Sequence, residues 1–172
     1  EDPHVFVPGQ FDNPANPEVH RKYTAMEILE QVDGPIDGFC SGFGTGGTIS
    51  GIGEVLKEHN PDMEIWAVEP ENAAILSGGS IGTHLQMGIG DGLVPDNLNN
   101  QIYDDIYIVT DEEALTTAKN LASMEGLMCG ISSGTNVAAA IQLAGKLGPG
   151  KRVVTVLPDT AERYFSTPLF ER

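Results

Sequence analysis

The chain has 172 residues, 40% of them hydrophobic, which is enough for one domain with a proper core. Nine basic residues against twenty-five acidic ones give a formal charge of −16, which argues against nucleic acid or an anionic membrane surface as the main partner. No apolar run approaches the roughly twenty residues of a membrane span, and no basic-then-apolar leader opens the chain, so the expected location is cytoplasmic.

Val5 to Val7 is a short strand candidate, and Gln10 to Pro14 is loop with Asn-Pro punctuation. Asn16-Pro17 reads as the N-cap and first residue of a helix whose buried face is Val19, Tyr23, Met26 and Leu29. Gly34-Pro35 breaks the chain before an apolar strand containing Cys40, which reads as a small packed hydrophobe. Cys40 and Cys129 have no metal-ligand spacing.

A glycine cluster follows that strand: Gly42, Gly44, Gly46 and Gly47. Ile49, Ile52 and Leu56 then recur at helical spacing, so the cluster sits where a strand hands over to a helix. Backbone amides crowd there because no Cβ blocks a close approach, and the helix start adds unpartnered amides and partial positive charge. With the hydroxyls of Thr45 and Thr48, this is a pocket for a phosphate. Gly42-x-Gly44-x-x-Gly47, with Glu69 at the end of the next strand, also fits the dinucleotide pattern. A plain tight turn is the third reading. A Walker-type loop is excluded, since no Gly-Lys-Ser/Thr follows.

Glu64 to Val68 is the next strand, and Ala73 to Asp96 is a long segment without period, in which His84 reads as an exposed loop histidine. Ile102 to Val109 alternates as a strand. Thr110 and Glu113 form a capping box, for a helix with Ala114, Ala118, Leu121 and Ala122 inward that ends at Gly126. Ser132-Ser133-Gly134 opens another helix, with Val137, Ala138 and Ile141 inward, closed by Gly148-Pro149-Gly150. Val153 to Leu157 is a final buried strand. Strands alternating with helices predict an α/β fold, a mostly parallel sheet with helices on both faces.

Gly44-Thr45-Gly46-Gly47-Thr48 resembles the phosphate loop of the cysteine synthases (O-acetylserine sulfhydrylases), pyridoxal-phosphate enzymes of the tryptophan-synthase-like fold, fold type II. Gln10 to Pro17 resembles that family's segment between its two domains, and His84 to Gly90 another of its segments. Gly130 to Gly134 resembles its cofactor-ring segment, and Glu162 to Thr167 its C-terminal signature. The resemblance implies pyridoxal 5'-phosphate as cofactor, held by Gly44, Thr45, Gly46, Gly47 and Thr48. It implies a serine at the ring nitrogen, for which Ser133 is favoured over Ser132 because it directly precedes Gly134. It places Gln10 and Gly88 on the substrate side, and it implies a homodimer with serine acetyltransferase as a docking partner. A hydroxyl hydrogen-bonds a neutral ring nitrogen without protonating it, a weak electron sink that suffices when the β-carbon carries a leaving group.

The lysine that carries the cofactor in that family lies in a Ser-x-Lys-Asp/Glu-Arg type motif in the N-terminal half, and nothing here matches it. Lys22, Lys57, Lys119, Lys146 and Lys151 all fall away from the motifs. Residues 1–172 are therefore expected to be the C-terminal cofactor-binding domain of a longer two-domain enzyme, inactive alone. The expected reaction is β-replacement of O-acetyl-L-serine with sulfide, giving L-cysteine and acetate. The alternatives are a cystathionine β-synthase-type reaction on serine, a nicotinamide-binding oxidoreductase domain, and a non-catalytic binding module.

Overall fold

The computed structural model describes residues 4–170. Strands β1 (Gly38–Gly42), β2 (Glu64–Pro70), β3 (Asp105–Val109) and β4 (Val153–Thr155) form one parallel sheet in the order β3-β2-β1-β4. The helices are α1 (Ala15–Val19), α2 (Ala25–Gln31), α3 (Gly47–His59), α4 (Asp111–Asn120) and α5 (Ile131–Leu147).

Strand side chains point alternately to the two faces, and each face has its own core. Phe39, Ile65 and Ala67 pack with Ala25, Ile49, Ile52 and Leu56, from α2 and α3. Cys40, Trp66 and Val68 pack on the other side with Ala114, Ala118, Ile131, Ala139 and Leu143, from α4 and α5. Helices thus cover both faces of a parallel sheet, the predicted architecture. Central strands β1 and β2 are apolar on both faces for this reason. The capping box at Thr110 and Glu113 forms as expected, with Glu113 N donating to Thr110 Oγ1 at 3.1 Å. Gly126 ends the following π-helical turn (Leu121–Glu125) in a left-handed conformation.

Several expected positions differ. Val5 to Val7 is not a strand and stays exposed, because no neighbouring strand pairs with it among the described residues. The first helix starts at Ala15, not Pro17, and Asn13 Oδ1 accepts from Ala15 N at 3.0 Å. A π-helical turn (His20–Thr24) separates α1 from α2, and its wider winding rotates the helix face. Tyr23 and Met26 consequently face outward, as does Val19 ahead of the turn, while Ala25 is buried and Ile28 and Leu29 pack against the core. In α5 the buried row is Ile131, Thr135, Ala139 and Leu143, at i, i+4 spacing, and Ile141 is exposed. Strand β3 begins at Asp105 rather than at Ile102. Strand β4 is short and only half-buried, since it is the sheet's edge.

Candidate functional site

The chain leaves β1 through α3 toward β2, whereas β4 lies on β1's other side. Open parallel sheets bind ligands at such a reversal, beyond the carboxyl ends of the strands. Asn136 of α5 holds this place together. Its Oδ1 accepts from Gly42 N at 2.7 Å, and its Nδ2 donates to Val156 O at 2.9 Å, so one buried amide fastens the end of β1 to the segment after β4.

The glycine loop turns here. Gly46, at φ +80°, is the N-cap of α3 and supplies no side-chain cap. The start of α3 is nonetheless enclosed, with Gly46, Gly47 and Ile49 all buried. Gly47 N reaches Thr45 Oγ1 only at a long 3.4 Å, so the enclosed helix start, with no side chain at its N-cap, leaves amides that need an acceptor, and the helix dipole favours a negative one. The neighbouring glycines permit close walls: a Cβ on Gly44 would overlap the Gly88 carbonyl, and one on Gly47 the Asn16 side chain. Thr45 Oγ1 accepts from Asn16 Nδ2 at 2.8 Å, and Thr48 Oγ1 lies 3.2 Å from His20 Nε2. Gln10 joins this network through its main chain. Its carbonyl accepts from Asn16 Nδ2 at 2.8 Å and from Asn97 Nδ2 at 3.0 Å, while the residue itself is exposed.

Beside the loop is a cleft of about 420 Å³ lined by Met87, Gly88, Ile89, Ser132, Pro158, Asp159, Arg163 and Tyr164. Gly88 is the link, since it lines the cleft and its carbonyl abuts Gly44. Gln86 anchors this segment from below. It is fully buried, donates to Val109 O and Asp111 Oδ1 at 3.0 Å each, and accepts from Thr135 Oγ1 at 2.8 Å. His84 is half-buried rather than exposed. Gln86 N donates to its Nδ1 at 3.2 Å, so its Nε2 carries the proton facing Gly90 O at 3.3 Å.

The two adjacent serines separate. Ser132 is on the cleft wall, whereas Ser133 is fully enclosed, with a hydroxyl that makes no hydrogen bond of good geometry beside the Cys129 thiol. Across the cleft the Tyr164 hydroxyl donates to Asp159 Oδ2 at 2.5 Å. Burial, reinforced by that carboxylate, pushes the Tyr164 phenol up to about 12. A larger open cleft of about 550 Å³ lies between Val7–Asp12 and Leu93–Asp96. Gln10 lines that one, so Gln10 and Gly88 do not share a cleft.

Glu69 settles the dinucleotide pattern against itself. It is fully buried, and its carboxylate accepts from Leu76 N at 2.7 Å and from Ser77 N and Oγ at 3.2 and 2.9 Å. Both oxygens serve the turn after β2, and full burial keeps the carboxylate out of reach of a ribose. The lysines are also occupied elsewhere. Lys57 pairs with Asp104 at 2.7 Å, Lys151 with Asp37 at 2.8 Å, Lys22 with Glu18 at 3.1 Å and Lys146 with Glu64. No lysine lines the cleft among the described residues.

A family profile described as "Pyridoxal-phosphate dependent enzyme" matches residues 1–159. The chain belongs to the pyridoxal-phosphate-dependent enzymes. The cysteine synthase of Staphylococcus aureus is 52% identical over 166 residues, 96% of this chain and 54% of that protein. O-acetylserine sulfhydrylase isoform 3 of Entamoeba histolytica superposes with a TM-score of 0.93 at 40% identity, over 97% of this chain and 50% of that one. An O-acetylserine-dependent cystathionine beta-synthase from Helicobacter pylori superposes with a TM-score of 0.93 at 36% identity, over 99% and 55%. The chain thus spans about half the length of the curated relatives it matches.

The site suits the cofactor of these pyridoxal-phosphate-dependent enzymes. An enclosed, uncapped helix start with two threonine hydroxyls is matched to a phosphate, and Ser132 offers a hydroxyl in the adjoining cleft. Asn16, His20, Gln86 and Asn136 hold the parts together; read from sequence, Asn16 has only the role of a helix N-cap and the other three have none. Their one signal was polarity at positions where the helix or loop turns inward.

Proposed function

We propose that this chain is the cofactor-holding part of a cysteine synthase, which converts O-acetyl-L-serine and sulfide to L-cysteine and acetate. One observation carries the reading: the buried, uncapped start of α3 abuts the cleft walled by Gly88 and Ser132. The 52% identity to the Staphylococcus aureus cysteine synthase supports this reaction over others in the family. Pyridoxal phosphate, when bound, supplies an electron sink for chemistry at the substrate's α- and β-carbons.

This chain's residues bind and orient. Gly44, Gly46 and Gly47 let amides approach the phosphate, and Thr45 and Thr48 add hydroxyls. Ser132, rather than Ser133, is the hydroxyl we assign to the pyridine nitrogen, because it is the one on the cleft wall. As a neutral partner it leaves the nitrogen unprotonated, in keeping with β-replacement. Gly88 stands at the junction of loop and cleft, where a substrate meets the cofactor. Gln10 reaches the site through its carbonyl and Asn16. With Lys22, Lys57, Lys146 and Lys151 held in ion pairs and no lysine among the described residues that line the cleft, we assign the lysine that carries the cofactor to a segment outside these 172 residues. The chain alone is then inactive. A homodimer and docking by serine acetyltransferase, both cytoplasmic, belong to the same reading.

The test is to assay the full-length gene product with O-acetyl-L-serine plus sulfide and, separately, with serine plus homocysteine. Cysteine formation faster than cystathionine formation is expected. Cystathionine as the main product would move the protein to the cystathionine β-synthase side, and absence of bound pyridoxal phosphate would remove the reading altogether.

A further inference from the structure

His20 stands behind the phosphate loop, at the start of the π-helical turn. Such turns are frequent at functional sites. Both of its ring nitrogens face hydroxyls: Nδ1 lies 3.0 Å from Thr24 Oγ1 and Nε2 lies 3.2 Å from Thr48 Oγ1. The close approach depends on Gly51 in α3, where a Cβ would come within 2.7 Å of His20 Cβ and overlap the Pro17 carbonyl. The ring is half-buried, and burial pulls its pKa below the ordinary histidine value, which keeps it neutral at physiological pH.

A neutral imidazole has one N–H and one acceptor nitrogen. With the proton on Nδ1, His20 donates to Thr24, and Thr48 has to give its own hydroxyl proton to Nε2. With the proton on Nε2, His20 donates to Thr48, Thr24 donates to Nδ1, and the Thr48 proton remains free. A phosphate only accepts hydrogen bonds, so it is served only by the second arrangement.

We propose that His20 is a positioning residue for the cofactor phosphate: held by Thr24 in its Nε2–H tautomer, it donates to Thr48 Oγ1 and turns the Thr48 hydroxyl proton onto the phosphate. The inference rests on the reading that Gly44–Thr48 cradles a phosphate. The change of tautomer moves one proton from Nδ1 to Nε2 with no net uptake or release, and no covalent bond to the phosphate forms.

The experiment compares pyridoxal phosphate with pyridoxal, which lacks the phosphate, in equilibrium binding to the full-length protein and its His20 variants. His20→Ala is expected to raise the dissociation constant for pyridoxal phosphate about tenfold and leave that for pyridoxal within twofold, about the loss of one charge-assisted hydrogen bond. His20→Gln, whose amide N–H reaches toward the place of Nε2, is expected to recover most of the difference. Equal losses for both ligands would make His20 merely structural and overturn the inference, as would an undiminished phosphate preference in His20→Ala. A wild-type protein with no phosphate preference would instead overturn the cradle reading and the inference with it. Nitrogen-15 histidine spectra of the wild-type holoenzyme give an independent check should His20→Ala fail to fold. They are expected to show His20 protonated at Nε2, and protonation at Nδ1 would overturn the proposal.

Discussion

Gly46→Ala probes the turn on which the site depends. Gly46 has φ +80°, where a residue with a Cβ loses about 1–2 kcal/mol. The added Cβ would also come within 2.8 Å of Leu98 N, Cα and Cβ. Those atoms are mostly backbone and do not swing aside, so overpacking adds about 1–3 kcal/mol. The sum, roughly 2–5 kcal/mol, is a large share of the roughly 5–15 kcal/mol that holds a typical domain folded. At about 2–4 °C per kcal/mol it lowers the melting temperature by roughly 4–20 °C. Gly145→Ala is the control. It lies within α5 with nothing inside 4 Å of a new Cβ, so the same substitution there stabilises by about 0.5–1 kcal/mol. Urea denaturation of the two variants beside wild type reads both effects. A Gly46→Ala protein within about 0.5 kcal/mol of wild type would refute the packing argument.

Asn136→Ala leaves Gly42 N and Val156 O without the Asn136 side chain that now pairs with them, and is expected to cost about 2–4 kcal/mol in denaturant unfolding, with weaker cofactor retention because the end of β1 loosens. Ser133→Ala removes a buried hydroxyl that makes no hydrogen bond of good geometry, so it is expected to be neutral or stabilising by about 1 kcal/mol and to leave the cofactor's absorption spectrum unchanged. Ser132→Ala is expected to alter that spectrum, and the reverse pattern would return the ring nitrogen to Ser133. In alkaline titration followed by phenolate absorbance, Tyr164 is expected to ionise at about 12, and Tyr164→Phe to delete that step. Because its folded pKa lies above the unfolded value of 10.0, its stabilising contribution is full below pH 10 and is lost as pH rises toward 12.

The sheet, its helical cover and the turn from β1 into α3 were legible because they rest on local signals: apolar runs, glycine clusters and a capping box. Helix phase was less so. The π-helical turn at His20–Thr24 changes the winding without a marker in the pattern, which is why Tyr23 and Met26 face outward. Ser132 and Ser133 differ in helix phase, which their sequence does not show: Ser133, next to Gly134, is fully enclosed, while Ser132 lies on the cleft wall. Glu69 fitted the dinucleotide spacing, yet its partners Leu76 and Ser77 come from a segment without period, whose path no local rule specifies. Asn16, Gln86 and Asn136 act through contacts up to 94 residues away in sequence, which only the tertiary fold brings together.

The most direct test of the account is to reduce the full-length holoenzyme with borohydride, which fixes the cofactor to its lysine, and to map the labelled peptide. One equivalent of label on a lysine outside these 172 residues is expected, with retention lowered by Gly46→Ala. Stoichiometric label on Lys22, Lys57, Lys119, Lys146 or Lys151 would contradict it.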